Sequence, residues 1–246
     1  PSNEEAAASE EMNLFMGSGA VSDKLPSLTR RGGCFKSITD QAIHCFGNIG
    51  GHLFSDETQV VGTIDNGALA CGSEHCCSSV SSSRTVACWG DCDNGRCGPT
   101  SGFLSSPTSG STLTMPEDVS GLALGENHSC AQLVHGPSRQ IYCWGGNSSY
   151  QLGRNTNDFV DSVVPVMTNA VPTRYLNTME TLIAGDNHSC AARRSDPKSV
   201  YCWGNNSHLQ SGYNAEGPAT TARDMSANWA LPPEALPTGD LAANAL

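Results

Sequence analysis

Three histidines, His75, His128 and His188, each stand two residues before a cysteine, and the last is flanked by Asp186 and Ser189. An imidazole beside a carboxylate and a hydroxyl could act as a general base, and one beside thiolates could bind zinc. Their distribution argues against both. Asp186, His188 and Ser189 are near neighbours on one short segment, with no Gly-x-Ser-x-Gly turn to present a nucleophile. The three histidines also recur at one repeat position, and catalysis rarely needs three equivalent copies. A structural role at a strand turn is therefore assigned to them. A second set, Cys71, His75, Cys76, Cys92 and Cys97, is confined to one stretch and offers five soft ligands for zinc. The preferred alternative is two disulfides, Cys71–Cys76 and Cys92–Cys97, with crossed pairings left open. Asp91-Cys92-Asp93-Asn94-Gly95 resembles a calcium loop, but its glycine comes one residue early and position 102 is Gly, not the bidentate Glu of an EF-hand. No catalytic residue, cofactor or resident metal is expected.

The elements that must hold these residues are marked by the remaining cysteines. The chain has 246 residues and 12 cysteines, an even and heavy load. Cys34 and Cys45, Cys77 and Cys88, Cys130 and Cys143, and Cys190 and Cys202 are separated by 11, 11, 13 and 12 residues. None of the four has the short CxxC knuckle of a structural zinc site. The regular gap suits two arms of a β-hairpin, where facing Cβ atoms lie about 4.5–5.5 Å apart, close to disulfide reach. Four hairpin disulfides, Cys34–Cys45, Cys77–Cys88, Cys130–Cys143 and Cys190–Cys202, are expected, and with them an oxidising, extracellular or cell-surface compartment.

Aligned on the first cysteine of each pair, the segments superimpose without gaps. Leu69-Ala70-Cys71-Gly72-Ser73-Glu74-His75-Cys76-Cys77 matches Leu122-Ala123-Leu124-Gly125-Glu126-Asn127-His128-Ser129-Cys130, and both match Leu182-Ile183-Ala184-Gly185-Asp186-Asn187-His188-Ser189-Cys190. After each second cysteine comes Trp-Gly (Trp89-Gly90, Trp144-Gly145, Trp203-Gly204) and a polar loop closed by Gly98, Gly153 or Gly212. The first copy is degenerate, with Cys45-Phe46-Gly47 and no Gly-x-x-His before Cys34. Second cysteines are spaced by 43, 55 and 59 residues. A period near 50 with several short strands per unit indicates an all-β chain folded as a β-propeller of four-stranded antiparallel blades. In the fourth copy, strands are expected at 182–184, 189–192 and 200–203, with a turn at Asp196-Pro197; in the third, an outer strand at 163–167. The boundaries read as an acidic extension over 1–24 and blades over about 25–65, 66–120, 121–178 and 179–246.

The block Gly-x-x-His-Ser-Cys-Ala, followed by a hairpin and Tyr142-Cys143-Trp144-Gly145-Gly146-Asn147-Ser148-Ser149-Tyr150-Gln151-Leu152-Gly153, resembles the repeat of the regulator of chromosome condensation family. The paired cysteines resemble its extracellular, disulfide-containing branch. The resemblance implies four-stranded propeller blades and little about activity, since the fold hosts many functions. Such propellers usually carry seven blades; about four copies imply an incomplete ring or part of a larger one. The stretch 239–246 reads as the start of another first strand.

With 13 basic and 24 acidic residues the formal charge is −11, which opposes nucleic-acid binding. No apolar run reaches the ~20 residues of a membrane span, so direct membrane insertion is not expected. Residues 1–11 carry four glutamates and no base, which is not a signal peptide, and the chain reads as processed or as a piece of a longer one. Asn147 and Asn205, and behind them Asn127 and Asn187, begin Asn-x-Ser glycosylation sequons. The inserts 99–116 and 155–161 read as loops, the first a candidate contact or O-glycosylated surface. The expected function is a non-enzymatic extracellular protein-interaction or structural module, a subunit or scaffold of a surface or appendage assembly. Its expected partners are proteins or neighbouring subunits, with glycans as a further class. The alternative is a soluble inhibitor or receptor ectodomain; a nuclear guanine-nucleotide exchange factor comes third, opposed by the cysteines and the acidic charge.

Overall fold

In a computed structural model, residues 26–37, 42–63, 67–80, 83–107, 111–135, 138–167, 178–193, 199–212 and 217–225 are described. The expected acidic extension, the Asp196-Pro197 turn and the stretch 239–246 lie outside them. Cysteine-bearing hairpins form the middle of every sheet. In the first, β1 (Ser27–Leu28), β2 (Arg31–Lys36), β3 (Ala42–Ile49) and β4 (His52–Thr63) pair in sequence order. The second contains β5 (Leu69–Cys71), β6 (His75–Ser79) and β7 (Thr85–Asp91), with an outer edge made of two pieces, β8 (Phe103–Leu104) and β9 (Thr112–Thr114). The third is β10 (Asp118–Leu124), β11 (His128–His135), β12 (Ser138–Gly145) and β13 (Val160–Pro165). The fourth is β14 (Thr181–Ala184), β15 (His188–Arg193), β16 (Ser199–Gly204) and β17 (Ala219–Asp224). Every described pairing is antiparallel, since neighbouring strands fold back on one another, the inner ones through short turns and the outer ones of the last three sheets through the longer loops after the tryptophans. The insert 99–116 is thus not a free loop: both its strands add to β7.

The register explains the cysteine spacing. Cys34 faces Cys45, Cys77 faces Cys88, Cys130 faces Cys143 and Cys190 faces Cys202, each directly across a hairpin. Each of these pairs is a disulfide. Cys71 faces Cys76 across β5 and β6 and is bonded to it, and Cys92 is bonded to Cys97 within the loop after β7.

Apolar side chains collect between successive sheets, so the core comes in three parcels. Ile43, Ile49, Phe54 and Trp89 fill the first junction. Val86, Leu113, Met115, Leu133 and Trp144 fill the second, and Ile141, Leu152, Val166, Met179 and Trp203 the third. Each parcel receives one tryptophan from the later blade, and all three are fully buried. At ~25 cal/mol per Å2, an indole of this size is among the largest single contributions to its junction. The inner strand of the fourth sheet is less buried than its counterpart in the third. Ile183 is 59% exposed where the equivalent Ala123 is 7% exposed, because no described sheet covers that side. The described residues form four β-propeller blades of an incomplete ring.

Candidate functional site

The junctions between blades are where the chemically able residues meet. The Nε2 of His75 lies 2.8 Å from Ser129 Oγ in the next blade, and Nε2 of His128 lies 2.7 Å from Ser189 Oγ in the one after. Ser129 Oγ in turn donates to the Arg96 carbonyl at 2.8 Å. Its proton being committed there, Ser129 must accept from His75, so that imidazole carries its hydrogen on Nε2 and is neutral. The Nδ1 atoms of His75 and His128 are buried and meet no partner. Burial therefore depresses both rings: His75 falls well below the usual histidine range, with Arg96 and His128 adding to the effect. His128 is lowered to about 3, with His188 adding to burial.

The glycine three residues upstream makes room for each ring. A Cβ added at Gly72, Gly125 or Gly185 would stand 3.0, 2.5 or 2.8 Å from His75 Cε1, His128 Nδ1 or His188 Nδ1 respectively. The second inter-blade bond comes from the tryptophans. The Nε1 of Trp144 donates to the Arg96 carbonyl, and that of Trp203 to the Gln151 carbonyl, both at 2.9 Å. Gly145 and Gly204, at φ 100° and 101°, turn the chain just after each tryptophan, and a Cβ there would press on Asn127 O or Asn187 O.

The first junction lacks both bonds. By alignment on Cys34, Gly32 takes the histidine position, and the serine position of the second blade is Cys76. Trp89 Nε1 is buried without a partner. The short turn between β3 and β4 brings Gly50, not a long loop, against this blade: a Cβ on Gly50 would lie 2.7 Å from Glu74 O.

The Asp186, His188 and Ser189 grouping is taken apart, since Ser189 binds the neighbouring blade's His128. The five-residue zinc set is not assembled either. Among the described residues the metal-capable group is Cys34, Cys71 and Cys76, and every one of these sulfurs is in a disulfide. The acidic loop spends its carboxylates locally. Asp91 Oδ1 accepts from Asp93 N and Asp93 Oδ1 from Gly102 N, both at 2.9 Å, while Asp91 pairs with Arg96 at 3.4 Å. Asn147 is a correction to the sequence reading: it is 1% exposed, its Nδ2 donates to Thr156 O at 2.7 Å and its Oδ1 accepts from Leu152 N at 3.0 Å. A sequon whose amide nitrogen is buried and engaged presents no acceptor. Asn127, Asn187 and Asn205 are partly exposed.

Arg30 was not singled out by its sequence context. It occupies the repeat position of Ser73, Glu126 and Asp186, four residues before the cysteine. From the first blade its guanidinium reaches Glu126 Oε1 at 3.0 Å and Asp186 Oδ2 at 3.9 Å. Ser73 Oγ donates to Asp186 Oδ1 and Asn187 Nδ2 to Glu126 Oε2, both at 3.3 Å. A polar cluster drawn from all four inner turns results. The aligned position alone, acidic in two copies and basic in the first, could have signalled it.

Family models for the regulator of chromosome condensation (RCC1) repeat match residues 140–192 and 184–210. Residues 140–210 carry RCC1 repeats. The chain's hairpin disulfides fit the disulfide-containing branch of that repeat type. Similar solved structures share the fold. They include Saccharomyces cerevisiae Prp20p, studied with its binding to Gsp1p and histones, at 18% identity and TM-score 0.62, covering 82% of this chain and 50% of that one. Yeast RCC1 (Prp20) bound to Kap60 matches at 16% identity and TM-score 0.60, with coverage of 82% and 48%. Human WBSCR16 matches at 16% identity and TM-score 0.63, with 82% and 54%. The chain thus spans about half the length of the structures it resembles. At these identities the likeness concerns the RCC1 fold alone.

Proposed function

We propose that this chain is a non-enzymatic extracellular interaction or structural module: a disulfide-braced RCC1-type propeller segment whose loops and edges meet protein partners or neighbouring subunits. The observation that carries the reading is the fate of the reactive residues. All twelve cysteines are paired, and the two fully buried histidines are bonded to serines of the next blade. Side chains that could do chemistry are spent on bracing each blade, in the case of the cysteines, and on joining blades, in the case of the histidines, which supports an assembly role. Six disulfides support an oxidising compartment.

The receptor-ectodomain or inhibitor reading gains from one surface feature. Phe103, 43% exposed, stacks on His52 at 5.2 Å between ring centroids, and Phe159 is 54% exposed. Exposed aromatics are the anchors a protein partner uses.

The intact mass of the native-source protein, with alkylation before and after reduction, tests the proposal. Twelve cysteines that react after reduction and not before are the expected result. Thiols alkylated without reduction would sink the extracellular reading. Added mass removed by a glycosidase would locate glycans, with Asn205 the first sequon to map.

A further inference from the structure

The junction of the first and second blades breaks the repeat's own pattern in a way that brings two disulfides together. The position of Ser129 and Ser189 is Cys76 in the second blade, and its cross-strand partner, Leu124 or Ala184 elsewhere, is Cys71. At the third junction, Ser189 Oγ lies 4.0 Å from Sγ of Cys130, the first hairpin cysteine of the preceding blade. At the first junction the equivalent contact is sulfur on sulfur, with Cys76 Sγ 3.7 Å from Cys34 Sγ. The sulfurs of Cys34, Cys71 and Cys76 all lie within 4.8 Å of one another. Cys34, Cys45 and Cys76 are 0% exposed, whereas Cys71 is partly exposed.

We propose that this junction is a thiol–disulfide exchange site, at which a dithiol reductant entering at Cys71 converts two disulfides within blades into one crosslink between blades, Cys34–Cys76. A thiolate of the dithiol attacks Cys71 Sγ, the Cys71–Cys76 bond breaks, and its electron pair leaves on Cys76 Sγ. The second thiol of the reductant then attacks the mixed disulfide, departs as the oxidised cyclic disulfide, and leaves Cys71 as a thiol. The Cys76 thiolate attacks Cys34 Sγ beside it. The Cys34–Cys45 bond breaks and Cys45 leaves as a thiolate that takes a proton from solvent. One dithiol is oxidised by two electrons, and two protein disulfides become one disulfide and two thiols. The second step consumes no reductant, since one disulfide is made for the one broken. Contact between the sulfurs is what lets it compete with a second external attack.

The inference stands apart from the interaction-module reading, and the test begins from protein whose twelve cysteines resist alkylation. One equivalent of dithiothreitol is added, the thiols are trapped with N-ethylmaleimide, and the peptides are mapped without reduction. Equal labelling of Cys45 and Cys71, with a peptide joined through Cys34–Cys76, is expected. Labelled Cys71 and Cys76 beside an intact Cys34–Cys45 would overturn it. A Cys71→Ser variant needs no reductant, because Cys76 is then made as a free thiol beside Cys34. Its single free thiol is expected at Cys45; a free thiol at Cys76 would equally overturn the proposal. Should that variant fail to fold, the dithiothreitol experiment decides alone.

Discussion

At the scale of the residue, neutral histidine does the holding. A ring whose folded pKa is depressed stays neutral while the unfolded chain takes up a proton. Stability is therefore fully present above the unfolded value near 6.5 and declines as pH falls below it. For His128 the decline continues to about 3. Each buried ring contributes a slope of about 1.4 kcal/mol per pH unit in that window. Urea midpoints taken from pH 7 to pH 4.5 are expected to fall, and His128→Gln should flatten the dependence; equal slopes for both proteins would refute this account. The glycines beneath the rings make a second prediction. Gly125→Ala places a methyl 2.6 Å from Gly185 O as well as against His128 and should cost about 1–3 kcal/mol. Gly121→Ala meets no backbone atom, only the Gln132 side chain, 3.2 Å away at its Oε1, and is expected to cost less than Gly125→Ala in the same melts.

At the scale of the element, blades differ in whether their tryptophan is satisfied. Removing the indole N–H by Trp→Phe should cost more at Trp144 and Trp203, each of which gives up an inter-blade hydrogen bond, than at Trp89, whose donor is already unpaired; Trp144 should cost less than Trp203, because the Arg96 carbonyl keeps its bond from Ser129. A gap of about 1–2 kcal/mol in unfolding free energy is expected. The loops after the tryptophans offer a related comparison. Asn147 Oδ1 to Leu152 N and Asn206 Oδ1 to Ser211 N close two of them, and Cys92–Cys97 closes the third at the same positions. Cys92→Asn with Cys97→Leu should therefore restore most of the about 2 kcal/mol that Cys92→Ala with Cys97→Ala loses, read by thermal unfolding. These substitutions also show what was legible. Hairpins, turn glycines and blade order follow from local spacing, which a linear pattern carries. Which blade's serine meets which histidine does not, because the partners lie 54 and 61 residues apart and meet only through packing. Asn147 misled for the same reason: a sequon and a loop-closing asparagine are written with the same letters.

At the scale of the whole molecule, the four sheets are linked by polar crossings as well as by apolar cores. Arg30 spans from the first blade to the third and fourth, yet it is 52% exposed at its side chain, so its ion pairs add little individually. Arg30→Ala is expected to shift the melting temperature by no more than a degree or two, a loss of under about 1 kcal/mol. A larger shift would mean that the inner turns, more than the apolar parcels, set the spacing of the blades.

Every satisfied junction has a sense of travel: an earlier blade offers imidazole and carbonyl, and a later one answers with hydroxyl and indole. The fourth blade still offers, through a half-buried His188. The first cannot answer, since Gly33 has no hydroxyl and Phe46 no N–H at the answering positions. Two copies of this chain set nose to tail would have to meet as the first and second blades do, by apolar packing without the histidine and tryptophan bonds, so Phe46→Trp should strengthen any concentration-dependent association seen in sedimentation.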